Sequence, residues 1–448
     1  MGSRRQSAGP APAGRRRLPL LLVEAATLLS GIGNGVATVA LPWLVLERTG
    51  SPTAAGIVAA ATALPLLISS LFSGTVVDLI GRKRTSIFSD AFSALSVAAI
   101  PILDATVGLN IGAIVALAVL GAVFDPAGLT ARETLLPAAA QAAGWRIERA
   151  NSIHEAVWGA AFLIGPGVGG VLIAAIGPER TLWVTASGFV LSIVLVAAVR
   201  LPGAGRPEQR PAGIWRGTVE GLAFVWRDRL LRTIALLTMA LVALYLPAEG
   251  VVLPAYFVEQ GAPSRLGTIV MAMSAGGIVG ALLYGGLGPR IRRRTAFVVA
   301  LIGTGIALVG LAALPPYPAM IVLAAATGLM YGPINPLANY AMQTRTPEHL
   351  RGRVVGVMTS SAYAAGPAGY LLAGPLVEWL GVRPAFLVLA VVLLVVALAA
   401  IPLPALRALD EPPAYPPAPI GAAPLDEGPV PLGEQWISSA RRDQPDDD

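Results

Sequence analysis

The 448-residue chain contains no cysteine and only two histidines, His154 and His349, far apart in sequence. Disulfides and thiolate metal sites are therefore excluded, no histidine cluster offers itself to a metal, and the redox compartment stays unspecified. Charged residues make up only 13% of the chain and aromatics 6%. Catalytic constellations are missing as well. No acid-rich metal motif, G-x-S-x-G elbow or Walker-type phosphate loop occurs, which argues against a membrane enzyme and against an ATP-driven pump. No cofactor is expected.

What fills the chain instead is apolar, with 55% hydrophobic residues and a mean hydropathy of +0.69. Stretches such as 114–123, 189–199 and 386–401 are apolar on nearly every side of a helix. Runs of roughly 18 or more such residues have the length to cross a hydrocarbon core of about 30 Å. The expected class is all-α integral membrane. Gly (50) and Pro (38) sit mostly inside these runs, where neighbouring helices re-satisfy the freed backbone groups. The first run, 18–46, is much longer than the apolar core of a signal peptide and reads as a retained span.

Cutting the apolar runs at charge clusters and Gly/Pro turns gives twelve spans, at about 18–46, 53–80, 85–106, 109–132, 150–176, 180–200, 230–257, 265–288, 295–313, 317–343, 352–379 and 382–404. With the N-terminus inside, cytoplasmic segments hold 28 of the 32 Lys and Arg, and the outer loops hold only Arg48, Arg180, Arg265 and Arg383. That asymmetry is what the positive-inside rule requires, and it puts both termini in the cytoplasm of a plasma-membrane protein. The net charge of +6 then faces the anionic inner leaflet and needs no nucleic-acid partner.

The expected organisation is a basic cytoplasmic tail (1–17), a six-helix bundle (18–200), a cytoplasmic linker (201–229), a second six-helix bundle (230–406) and a Pro-rich acidic tail (407–448). In the linker, Ile214, Val219, Leu222, Ala223, Val225 and Trp226 alternate with charges, as in an amphipathic helix lying on a membrane surface. The last tail cannot bury a core, so disorder is expected there.

The two halves repeat. A shift of 204 residues superposes Arg149, Gly165, Gly170 and Gly177 on Arg353, Gly369, Gly374 and Gly381, and a shift of 207 superposes Gly121, Phe124 and Pro126 on Gly328, Tyr331 and Pro333. The stretch GTVVDLIGRKRT (74–85) has its counterpart in GGLGPRIRRRT (285–295), with Pro289 where Asp78 would be.

Gly74, Asp78, Gly81, Arg82 and Lys83 lie between the second and third spans and resemble the G-x-x-x-D-x-x-G-R-K/R motif of the major facilitator superfamily. LPWLVLERTGSP (41–52), FDPAGLTARETLLP (124–137), IERANSI (147–153), EGLAFVWRDRLLR (220–232) and HLRGRVVGV (349–357) are similar to the drug:proton antiporter branch that includes macrolide-efflux and enterobactin-exporter proteins. The resemblance covers about 18–406 and implies a major-facilitator fold of twelve transmembrane helices in two pseudo-symmetric six-helix bundles. It also implies a latch between the halves in the outward-open state, with Asp78 accepting from a neighbouring helix start or pairing with an Arg such as Arg132. The alternative is that the Arg-Lys-Arg run only fixes topology. In the fifth span Gly165, Pro166, Gly169 and Gly170 resemble the G-P-x-x-G-G element of proton-coupled antiporters, though close helix packing explains them equally.

Ionisable residues inside spans are costly and call for a role. Glu24 and Asn34 share a polar or small stripe in the first span with Gly31, Gly35 and Thr38; Asp125 lies in the fourth, Tyr245 and Glu249 in the seventh, and Tyr331, Asn335 and Asn339 in the tenth. The resemblance implies that these four spans line a central cavity. Either Glu24 or Asp125 exchanges a proton with substrate, or each pairs statically with an Arg or lies at the interface. Relatives often carry an acid where Asn34 stands, and an amide cannot titrate. Asp90 is expected near the inner surface, His154 and Glu155 at the interface, and Trp43 in an outer aromatic belt.

These features predict a monomeric secondary transporter exporting a small amphiphilic molecule, neutral or cationic, by alternating access in exchange for protons. A non-transporting scaffold or receptor on the same fold, or a proton-coupled uptake carrier, are the alternatives.

Overall fold

The computed structural model describes residues 17–106, 108, 110–201 and 214–412. Most of the basic tail, part of the linker and the chain beyond 412 lie outside the described residues. Among the described residues every regular element is helical. The first half comprises α1 (Leu18–Thr49), α2 (Pro52–Ile80), α3 (Arg82–Thr106), α4 (Ile111–Ala122), α5 (Asp125–Ala143), α6 (Ile147–Ile176) and α7 (Pro178–Ala198). The second follows α8 (Ile214–Arg227) with α9 (Arg229–Pro247), α10 (Leu253–Glu259), α11 (Pro263–Leu287), α12 (Arg293–Ala312), α13 (Tyr317–Tyr331), α14 (Ile334–Arg345), α15 (Glu348–Leu380) and α16 (Val382–Ala399).

The pairs α4/α5, α9/α10 and α13/α14 each continue one rod. Ten rods are long and apolar enough, by length and composition, to cross a membrane, and α2, whose described apolar run is Pro52–Leu67, and α15 complete the antiparallel series. Large apolar side chains such as Leu282, Val322, Leu372 and Trp379 are exposed on the outside, while Phe189, Phe257, Phe297 and Phe386 fill the inside. That surface suits lipid, where backbone groups must be satisfied within each rod.

Local chemistry sets the turns. Ser51 caps α2 by accepting from the Ala54 N–H, with Pro52 at the first helical position. Asn110 and Asp228 cap α4 and α9 in the same way. The repeat is explicit in the backbone. Gly177 and Gly381 have φ/ψ of 83°/164° and 84°/165°, a left-handed conformation open to glycine. Each donates its N–H to the carbonyl four residues back, Ile173 and Val377. Both turns lie at the end of the molecule that also carries Gly50, hereafter the Gly50 end; the opposite one is the Lys83 end.

Two expected boundaries shift. The fourth rod runs on to Ala143 instead of ending at 132, because Arg132 is neutralised inside the protein and does not mark a membrane surface. The packed chain also continues past 407. Residues Pro404–Leu409 form a 3-10 turn that buries Leu406 and Leu409, Asp410 accepts from the Arg294 N–H, and Glu411 pairs with Arg345 at 2.8 Å. In the linker, α8 turns Val225 inward, and Gly221 packs against the Arg353 backbone of α15 while Glu220 pairs with Arg353. Val219, Leu222 and Trp226 stay exposed.

Candidate functional site

Three rods break near mid-length. The fourth is interrupted at Val123–Phe124 and the tenth at Gly332–Pro333, places matched by the sequence repeat. The seventh passes through a π-helical turn, Ala248–Val252. Interrupted helices at corresponding places in two repeated halves expose backbone groups and helix ends to a ligand. Of the polar residues predicted for the cavity, Asp125, Tyr245, Glu249, Tyr331, Asn335 and Asn339 lie at or beside these breaks, whereas Glu24, Asn34 and Thr38 lie on the unbroken first rod.

Asp125 opens α5, where the helix dipole favours a carboxylate, and accepts from Ser93 Oγ at 3.1 Å. The Phe92 and Phe124 rings stack beside it at 4.7 Å. Tyr245 and Tyr331 stack at 5.1 Å, joining the seventh and tenth rods. Glu249, half-buried in the π-helical turn, lies within electrostatic reach of both and of Tyr370 from α15. Gly250 makes room for that tyrosine, since a Cβ there would come within 3.0 Å of its ring. Tyr370 was missed from sequence, where a lone tyrosine in an apolar span gives no sign of its neighbours. Asn335 and Asn339 are exposed on α14, Asn34 is half-buried, and exposed Thr38 donates to the Gly35 carbonyl at 2.7 Å.

Glu24 does not stand alone. It is buried and faces buried His154 of α6, whose Nδ1 lies 3.3 Å from both carboxylate oxygens. The ring therefore has a carboxylate partner inside the bundle, which the sequence did not reveal. Asp90 is also packed inside the bundle. It is 1% exposed and accepts from Arg132 Nη2 at 2.5 Å, Ser30 Oγ at 2.9 Å and Ser192 Oγ at 2.7 Å. Arg132 therefore pairs with Asp90 rather than Asp78, and its Nε donates to Ser86. Trp43 is buried and donates to Glu47, so it is not part of an exposed belt.

Gly74 and half-buried Asp78 lie in α2, which Gly81 terminates by donating its N–H to the Val77 carbonyl. Arg82 opens α3. Lys83 Nζ donates to the carbonyls of Ala197 and Val199 at 2.6 and 2.9 Å, capping the end of α7. Arg294, its repeat counterpart, caps the end of α16 through the Ile401 carbonyl at 2.7 Å. Cations on the last carbonyls of a helix are favourable in both halves.

Gly165, Pro166, Gly169 and Gly170 place α6 between the two halves. A Cβ on Gly165 would come 2.8 Å from Gly35 Cα, and one on Gly170 would come 2.9 Å from Gly267 Cα of α11. The halves also meet between α2 and α15, where a Cβ on Gly374 would lie 2.6 Å from Thr53 Cα. Here Glu378 caps the start of α2 from the other half. It accepts from Ser51 Oγ at 2.5 Å and from the Thr53 N–H at 3.1 Å. Glu378→Ala removes a cap of about 1 kcal/mol and is expected to raise the population separated at the Gly50 end roughly fivefold. Electron-resonance distances between labels on Thr49→Cys and Arg383→Cys check this, with no native cysteine to interfere.

Residues 17–431 match the family described as Transmembrane secretion effector. The chain belongs to this family, within the major facilitator superfamily. It is 48% identical over 400 residues to the multidrug efflux pump Tap of Mycolicibacterium fortuitum, covering 88% of this chain and 98% of that one. It is 25% identical over 358 residues to the enterobactin exporter EntS of Salmonella choleraesuis, covering 78% and 84%. The crystal structure of the nucleoside transporter NupG shares the fold, with a TM-score of 0.69 at 13% identity over 86% of this chain and 98% of that one. This major-facilitator protein is a multi-pass membrane transporter, not an enzyme.

Proposed function

We propose that the protein is a secondary active exporter that moves a small amphiphilic molecule out of the cell by alternating access, in exchange for protons, as a monomer in the plasma membrane with both termini cytoplasmic. Export is supported by the 48% identity to a multidrug efflux pump. The observation that carries the mechanism is the set of breaks in the fourth, seventh and tenth rods, with Asp125, Glu249 and the stacked Tyr245 and Tyr331 gathered at them. A carboxylate there binds and releases protons while the aromatic faces hold an apolar or cationic ligand. The trans cap by Glu378 and the Gly170–Gly267 contact favour one closed end, which an alternating cycle must open. The segment 74–83 serves that cycle as a latch at the other.

Proteoliposomes carrying ethidium as the transported probe test the assignment. Wild type is expected to move the dye against its gradient when a pH gradient is imposed, and Asp125→Asn and Glu24→Gln to fall towards empty liposomes. Unaltered coupling in both variants rejects proton exchange through these acids.

A further inference from the structure

The Glu24–His154 pair has one feature that a static ion pair does not need. His154 is 5% exposed, its Nδ1 faces Glu24, and its Nε2 is buried with no hydrogen-bond partner among the described residues. Buried ring nitrogens are normally satisfied, so an orphaned one marks a place where something binds. Counting from the first residue of each helix, Glu24 and His154 lie roughly 10 Å in from the Lys83 end, within reach of protons from that side. Two further carboxylates bear on the ring, Glu133 from α5 and Glu155 from its own helix, both more exposed than Glu24.

We propose that Glu24 and His154 form a single proton-binding unit in which Nε2 of His154 is the loading position, so that a proton exchanged at Glu24 is carried by the pair and not by Glu24 alone. With Nδ1–H donated to the carboxylate, the empty unit bears one net negative charge. A proton arriving at Nε2 becomes the second N–H of an imidazolium and leaves an internal ion pair with no net charge. Burial opposes the empty state and tolerates the loaded one, which couples proton occupancy to how tightly α1 and α6 close around the pair. Those helices touch at Gly35 and Gly165, and α6 contacts the other half through Gly170. Loading at His154 therefore bears directly on the element that joins the halves.

This proposal rests on proton exchange as the mode of transport, and the experiment separates the two. The full-length chain has only two histidines, so ring-¹⁵N labelling gives two sets of signals, assigned with His154→Gln. Nε2 of His154 is expected to titrate between about pH 5 and 8, the range in which imidazoles exchange protons, with a midpoint displaced in Glu24→Gln while that of His349 stays put. A ring that ignores pH, or ignores Glu24→Gln, overturns the unit. In proteoliposomes, the ratio of pH-gradient-driven ethidium flux to ethidium exchange is expected to collapse in His154→Gln, a ratio that simple loss of folded protein leaves unchanged. A wild-type ratio in that variant overturns the coupling role, whereas a wild-type protein indifferent to the gradient overturns proton exchange itself.

Discussion

Asp90→Ala is expected to destabilise the protein by about 3–5 kcal/mol, the range for stranding one member of a buried ion pair. Arg132 is 3% exposed, and without Asp90 its named partner is the Ser86 hydroxyl. Ser30 and Ser192 lose their shared acceptor in the same step, although Ser192 retains the Ala26 carbonyl. Lipid supplies no water to replace these bonds. The pair variant Asp90→Ala/Arg132→Leu removes both charges and is expected to recover most of the loss, because the penalty comes from the uncompensated ion and not from the missing attraction. Thermal unfolding of purified protein in detergent measures both, and an unchanged midpoint in Asp90→Ala would show that the pair does not form. The knot involves α1, α3, α5 and α7 together, so it makes the first half one stiff body, which a rocking cycle requires.

The rods themselves were legible because lipid demands length and apolarity, both of which a linear sequence displays. The repeat that superposes Phe124 on Tyr331 was legible, but the helix breaks beside both were not read from it. What the sequence hid was which interior charge meets which. Hydropathy reports depth along a span but not the direction a side chain faces, so Arg132 looked like the end of a helix and the carboxylate facing His154 stayed hidden. Each of these two residues was placed by a carboxylate partner, Asp90 or Glu24, contributed by a helix 42 or 130 residues away in sequence. The tail was misjudged for a related reason. Two leucines and two acids are too few to predict a packed segment, yet Leu406, Leu409, Asp410 and Glu411 each find a place prepared by the second half.

Gly328→Val is expected to be the most damaging single substitution in the second half. A Cβ at Gly328 would lie 1.8 Å from the Met273 carbonyl oxygen and 2.8 Å from the Gly277 nitrogen, while Gly276 and Gly280 of the facing helix approach the carbonyls of Ala325 and Leu329 at 2.0 and 2.1 Å on the same measure. These are backbone atoms on both sides, so no side chain can turn aside and α11 and α13 must separate. The expected penalty exceeds about 3 kcal/mol, beyond the ordinary range for an overfilled core, and even Gly328→Ala is expected to lower the yield of monodisperse protein sharply. Gly121, its partner in the repeat, gives the control. There a Cβ would meet Ser96 Oγ at 2.8 Å and Ser96 Cβ at 3.1 Å, side-chain atoms that can give way at the cost of the hydroxyl's bond to the Leu117 carbonyl, so Gly121→Ala is expected to be milder. Size-exclusion profiles and unfolding midpoints of the two alanine variants compare them directly, and equal behaviour would refute the backbone contact. Gly328 lies one turn before the break at Gly332, whose own Cβ would come 2.4 Å from the Gly277 carbonyl. The contact therefore clamps the broken tenth rod onto α11 and holds Tyr331 in place against Tyr245.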